Sequence, residues 1–342
     1  MTPSLYLPAL LFFYSIKAEA WTRAARISRY NARPISTGAL QAARSNGFPK
    51  KRGPQQSKAS PKSDDKPIYS MPALYDLAFG YRSYEDEVTF LLQTHERCTG
   101  QTPANILEMA AGPARHALTA LQLHDAVQSA TCVDLSPEMA AYAKAIADEE
   151  LPENRKNMFT YIVDDMRYFQ LEDASQTFDT AWILLGSLQH LTKNEDVIAC
   201  LTLVNRHLET GGTLIVELPH PRETFSMVEC TRNGWEVPLE DENGEESGEL
   251  RIVWGDEDDE FNSITQVRNF TVAMELTGVA ETDKLQNVRE VVPLRLFTAQ
   301  EIDALARCAG FEMVEMYGSL DEEVKVDDED LAFRLVSVLR KL

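Results

Sequence analysis

The residues able to do chemistry in this chain cluster where apolar runs end in acids. ILEMAAGPARHA (106–117) carries Glu108 in an apolar run that breaks at Gly112, CVDLSPEM (132–139) stops at Asp134, and IVDDMRYF (162–169) stops at Asp164, Asp165 and Met166. Acids at successive strand ends suit a ligand rich in hydroxyl and cationic groups. Asp134 is placed to accept from both hydroxyls of a ribose, the 164–166 segment to meet an adenine edge, and Glu108 to attract an ammonium or sulfonium. Gly112 lets the backbone approach such a ligand with no side chain between them. A dinucleotide site would need GxGxxG here to seat a pyrophosphate; this loop has one glycine, and Glu108 would repel the diphosphate. The five cysteines show no CxxC or His-linked spacing, so no metal centre and no disulfide framework is expected, and they read as buried thiols in a reducing compartment.

The surrounding pattern supplies the elements that must hold these groups. Strands are expected at 105–110, 131–135, 159–165, 178–186 and 212–218, with helices beginning near Arg115, Pro137 and Asn194. Several strands are apolar nearly throughout, as in a parallel sheet covered on both faces. Residues 67–102 read as helical, with Val88, Leu91 and Leu92 on one face. Ser136-Pro137-Glu138 is a helix start, and Thr192/Glu195 and Thr298/Glu301 are spaced as capping boxes. Phe297 and Ile302 match a hydrophobic staple, and Gly310 is placed to stop that last helix. The acidic stretch 240–260 reads as a loop, 264–276 and 287–297 as an antiparallel pair, and 333–341 as a final strand. No internal repeat is evident.

With these segments in order, EMAAGPARHA, VDLSPEM, DDMRYF, FDTAWILLGSLQHL and LETGGTLIVEL resemble the successive motifs of class I S-adenosylmethionine-dependent methyltransferases that act on small molecules. The resemblance covers about residues 70–342, including RLFTAQEIDALARCAGFEMVEMYG. It implies a doubly wound, mostly parallel Rossmann-like α/β sheet with an antiparallel insertion after strand 5, at about 219–297. It implies S-adenosylmethionine as cofactor, lined by Glu108, Ala110, Gly112, Arg115, Asp134, Leu135, Met139, Asp164, Asp165, Met166 and Leu185. Glu108 and Gly112 would take its methionine end, Asp134 the ribose, Met139 the adenine face, and Asp165 with Met166 the adenine edge. Ala110 replaces the first glycine of the family's loop, which a negative φ would accommodate. The N-terminal helix would be a lid offering Tyr75 and Tyr81 to cofactor or substrate, and His190 would accept a proton from an amine or hydroxyl. His220, Arg222, Trp235 and Trp254 fall where an acceptor pocket would form, although aromatic core packing explains the tryptophans equally well. The expected reaction is in-line methyl transfer to a small-molecule N or O atom, driven mainly by alignment. The alternatives are a non-catalytic methyltransferase-like assembly factor of an organelle and, further off, a nicotinamide oxidoreductase.

Charge is divided unevenly. Residues 1–66 hold 12 Lys/Arg against 3 Asp/Glu, leaving 21 against 51 for the rest of the chain, a net of about −30. Such a body repels nucleic acid; its acidity reads as a solvated surface or, alternatively, as a field favouring a cationic or amine substrate. Leu5–Ile16 is too short to span a bilayer and is followed by Ala18-Glu19-Ala20, as in a signal peptide of residues 1–20. Residues 21–66 are rich in Arg, Lys, Ser and Ala, with no acid between Trp21 and Lys62, like an organellar transit segment. Together they resemble the bipartite leader of algae with complex plastids, a mitochondrial presequence being the alternative. The folded part is expected at 67–342, without stable membrane insertion after processing.

Overall fold

The structure is a computed structural model that describes residues 67–222, 233–240, 246–256, 258–277 and 288–342. The leader and residues 223–232 (with Cys230), 241–245, 257 and 278–287 lie outside the described residues.

A short 3-10 turn at Ile68–Ser70 leads into helix α1 (Pro72–Phe79) and then α2 (Tyr84–Thr99). The region expected to be helical is therefore two helices separated by the turn at 80–83. Val88, Leu91 and Leu92 are buried on α2 as their spacing requires. Strand β1 (Asn105–Met109) is followed by α3 (Arg115–Leu123), β2 (Ser129–Asp134), α4 (Pro137–Glu150), β3 (Phe159–Val163) and β4 (Phe178–Ile183). Then come α5 (Asn194–His207) and β5 (Leu208–Pro219). The helix starts at 115, 137 and 194 match the sequence pattern. Ser136 caps α4 by accepting from Met139 N at 3.1 Å. Thr192 does not cap α5; its N-cap is Lys193, which contributes no side-chain bond.

After β5 the chain forms β6 (Asn233–Glu240), β7 (Glu246–Trp254), the two-residue β8 (Phe261–Asn262), β9 (Val267–Thr277) and β10 (Val288–Arg295). The acidic stretch read as a loop thus contains a strand: β7 pairs antiparallel with both β6 and β9. On it Glu249 and Arg251 alternate with Leu250 and Ile252, both buried, so the period of two outweighs the charge. The expected pairing of β9 with β10 is present. Helix α6 (Ala299–Cys308) carries the Thr298/Glu301 capping box, with Phe297 and Ile302 buried beside it, and Gly310 follows at φ +83°. Antiparallel β11 (Phe311–Tyr317) and β12 (Arg334–Lys341) close the chain.

The main sheet has the order β3-β2-β1-β4-β5-β12-β11, parallel from β3 to β5, with β12 antiparallel to both neighbours. The antiparallel sheet has the order β6-β7-β9-β10, with β8 on β9. Separate apolar clusters fill the two faces of the main sheet, and a third lies between the second sheet and the N-terminal segment around α1. Strand order reverses between β1 and β4, and a crevice opens at that point beyond the strands' carboxyl ends.

Candidate active site

The crevice is lined by Tyr75, Asp76 and Phe79 of α1, Tyr84, Glu108, the 110–113 loop, Arg115, His116, Leu184, Leu185 and Ser187. Helix α1 therefore lies over the carboxyl ends of β1 and β4. Its backbone is unusual: Ala110 (φ +50°), Gly112 (φ +52°), Ala114 (φ +56°), Leu185 (φ +53°) and Gly186 (φ +74°) are all left-handed. Ala110 does not sit at the negative φ anticipated for it. Non-glycine residues in this region are strained by about 1 kcal/mol or more, and such strain collects at functional sites.

The glycine loop is pinned from both sides. Gly112 N donates to Asp134 Oδ2 at 2.9 Å, and Tyr161 Oη donates to Gly112 O at 2.6 Å. Asp134 Oδ1 accepts from Ser136 N at 2.8 Å. Burial raises the Asp134 pKa, partly offset by these N–H donors. Met139 is fully buried, and its sulfur lies 4.0 Å from where a Cβ on Gly112 would stand. The structure thus brings Asp134, Gly112 and Met139 together.

Glu108 lines the crevice, but both its oxygens are engaged. Oε2 accepts from Ala117 N at 2.9 Å, and Oε1 lies 3.7 Å from His116 Nδ1, a charge contact rather than a hydrogen bond. His116 Nε2 bonds Glu87 Oε2 at 2.8 Å. Burial disfavours the imidazolium, but the two flanking carboxylates outweigh it and push the His116 pKa up to about 9.

Several expected roles move. Arg115 is held by Asp76 (Nη2 to Oδ2, 2.6 Å) and Glu150 (Nη1 to Oε1, 3.1 Å), and Tyr142 Oη donates to Asp76 at 2.9 Å. Arg115 therefore fastens α1 to α3 and α4 instead of offering a free cation to a ligand. Asp165 is bound by Arg167 (2.6 Å), which also reaches Asp196, and these bonds lower its pKa. Asp164 accepts from Asp165 N at 2.8 Å. Leu135 is 71 % exposed beside Asp134 and makes no part of the crevice wall. Met166 is half-buried against the core.

Among the aromatic candidates, Tyr75 lines the crevice; Tyr81 does not, packing edge-on to Trp235 at 6.2 Å. Trp235 and Trp254 stack edge-on against Phe79, and Trp235 Nε1 donates to Ala78 O at 2.8 Å, so both brace the lid helix. His190 does not line the crevice; its Nε2 lies 2.9 Å from Tyr69 Oη, the Tyr69 ring packs against Tyr75 at 5.8 Å, and Ser136 Oγ donates to Tyr69 O at 3.0 Å. Burial of the ring lowers the His190 pKa, although the residue as a whole is exposed. His220 Nε2 donates to Val326 O at 2.8 Å and Arg222 Nη2 to Ala332 O at 2.6 Å, so this pair secures the segment before β12.

Sequence reasoning missed Tyr69, Asp76, Arg82, Glu87, His116 and Glu217. A signal existed for Glu217: an acid inside the apolar run TLIVELP is buried, and a buried charge requires a partner. It is 1 % exposed and takes Arg82 Nη2 at 3.0 Å and Arg334 Nε at 3.0 Å.

The donor set suits an adenosyl sulfonium. The lining cations Arg115 and His116 are both paired with carboxylates, leaving neither for a diphosphate, while Asp134 stands beside an open glycine. Among the described residues no cluster of His, Cys, Asp and Glu could hold a metal ion, and no helix is long and apolar enough to cross a membrane.

Comparison with known proteins agrees with this geometry. Residues 106–212 match a family described as a methyltransferase domain. No curated protein matches the chain. The fold resembles an S-adenosylmethionine-dependent methyltransferase from Clostridium acetobutylicum (TM-score 0.60, 14% identity, covering 79% of this chain and 96% of that one). It also resembles an S-adenosylmethionine-bound amino pentose methyltransferase from Micromonospora echinaspora (TM-score 0.57, 21% identity, covering 79% and 95%). A third is a sugar N-methyltransferase from Streptoalloteichus (TM-score 0.57, 18% identity, covering 86% and 100%). Residues 106–212 thus match the methyltransferase-domain family, and the chain shares its Rossmann-like fold with solved S-adenosylmethionine-dependent methyltransferases.

Proposed function

We propose that this methyltransferase moves the methyl group of S-adenosylmethionine to an N or O atom of a small molecule, with an amine nitrogen favoured. The carrying observation is the Asp134 carboxylate, fixed by Gly112 N and Ser136 N beside the glycine turn. In this reading Asp134 accepts from the ribose hydroxyls, Met139 packs near the adenine, and Asp164 with Met166 meets its edge in place of the tied Asp165. Glu108 acts as a fixed negative charge toward the methionine end. The bound cofactor supplies an already activated methyl group, so the protein's task is to orient the acceptor and exclude water. Tyr75 on the lid helix and the Tyr69–His190 pair packed beside it are the groups available to position an acceptor or hold its proton. The amine preference is supported by the acidic body, which concentrates cations, and by the amino-sugar acceptors named for similar folds.

Calorimetry tests this reading. Wild-type protein is expected to bind S-adenosylhomocysteine in the micromolar range and not NAD, and Asp134→Ala to lose that binding. NAD binding, or homocysteine-nucleoside binding indifferent to Asp134, would sink it. Radiolabelled methyl transfer into a metabolite extract then identifies the acceptor. The leader further supports plastid delivery, which import assays on residues 1–66 fused to a reporter would check.

A further inference from the structure

Arg82 lies in the turn between α1 and α2 and does not line the crevice, yet it sits at the junction of the groups that do. Its side chain is only 6% exposed. Nε donates to Glu87 Oε2 at 2.9 Å, and Nη2 reaches both oxygens of Glu217 at 3.0 and 3.1 Å. On one side Glu87 continues through His116 to Glu108 in the crevice. On the other, Glu217 holds the opposite wall: its Oε2 accepts from Leu185 N at 2.9 Å and its carbonyl from Gly186 N at 3.0 Å. Leu185 is left-handed at φ +53°, a conformation that a non-glycine residue keeps only when its surroundings enforce it, and Gly186 follows at φ +74°. The result is a buried run of alternating charge, Glu108, His116, Glu87, Arg82, Glu217 and Arg334, joining the walls after β1 and β4 to the turn that carries the lid helix. Glu217 is held at a pKa of about 2: its burial would raise it, but Arg82 and Arg334 prevail.

We propose that Arg82 is a positioning residue for cofactor retention: by bridging Glu87 and Glu217 it fixes the turn that seats α1 over the crevice and ties that turn to the Leu185–Gly186 wall. The inference rests on reading the crevice as the S-adenosylmethionine site. Arg334 provides the comparison. It contacts the same Glu217 oxygen as Arg82 but stands on β12, away from the turn. Were Glu217 alone the important group, losing either guanidinium would have the same effect. If the turn matters, only Arg82 controls how long the ligand stays.

The test measures association and dissociation of radiolabelled S-adenosylhomocysteine on the full chain for wild type, Arg82→Gln, Arg82→Lys and Arg334→Gln. Arg82→Gln is expected to speed dissociation about tenfold with association changed by less than about twofold, since loosening a lid acts mainly on escape. Arg82→Lys keeps the cation without the fork and should fall between, at about threefold. Arg334→Gln should stay within about twofold of wild type. Circular dichroism and thermal melts establish folding; should Arg82→Gln not fold, Arg82→Lys against Arg334→Gln carries the comparison. Equal acceleration by the Arg82 and Arg334 variants, or none in either Arg82 variant, overturns the proposal. A wild-type protein that binds no S-adenosylhomocysteine defeats the reading of the crevice itself, and the proposal with it.

Discussion

At the scale of single residues, the site departs most from its sequence reading in backbone conformation. Ala110 and Leu185 adopt φ of +50° and +53° on opposite walls of one crevice, where glycine would be the unstrained choice. Ala110→Gly is expected to stabilise the protein by about 1 kcal/mol, raising Tm by roughly 2–4 °C, with nucleoside binding retained. A melting temperature that falls would mean that the methyl group of Ala110 contributes packing exceeding its strain. The acids were legible because a carboxylate ending an apolar run has few structural uses. Their partners were not. Nothing in the spacing of Asp164 and Asp165 says that Arg167 will claim the second and leave the first, since that choice is made by Asp196 arriving from α5. The partner of Arg115 was hidden for the same reason: its acid, Asp76, is contributed from 39 residues away in the chain.

At the scale of elements, capping and periodicity placed the Rossmann-like strands and helices closely, because both are local properties. The β7 strand was hidden by its charges, Glu249 and Arg251 alternating with buried Leu250 and Ile252, and its pairing partner β9 lies beyond the next loop. Helix α1 forms one wall of the crevice through Tyr75, Asp76 and Phe79. It is only 8 residues long, too short to be stable alone, and relies on tertiary anchors. One is Asp76, 5 % exposed, bound by Arg115 and Tyr142. Asp76→Asn leaves Arg115 with Glu150 and should cost about 2 kcal/mol, a value tempered by the partial exposure of Arg115. Hydrogen exchange should show the amides of 72–79 opening faster while those of β1 and β4 keep their protection; uniform loss across the sheet would contradict an anchoring role confined to α1.

At the scale of the whole molecule, the buried run of alternating charge gives stability a definite dependence on pH. His116 has its folded pKa raised from 6.5 to about 9, so its contribution is complete below about 6.5 and is lost as pH climbs through 9. Glu217 is displaced oppositely, from 4.5 to about 2, so its contribution is complete above about 4.5 and is lost as pH falls toward 2. Thermal melts should therefore show a plateau between about 4.5 and 6.5 and a decline above neutrality that His116→Gln flattens; a Tm still rising between pH 7 and 9 would exclude a charged His116. The two sheets meet through side chains, above all the aromatic line Tyr69, Tyr75, Phe79 and the indoles of Trp235 and Trp254. Trp182 is wholly enclosed in the main sheet and so supplies a constant background. Trp235 and Trp254 lean on helix α1 itself, and Trp235 is bonded to its backbone. The unlabelled molecule consequently carries its own optical gauge: any shift of that helix on its seat must alter the polarity around two indoles and hence the colour of their emission.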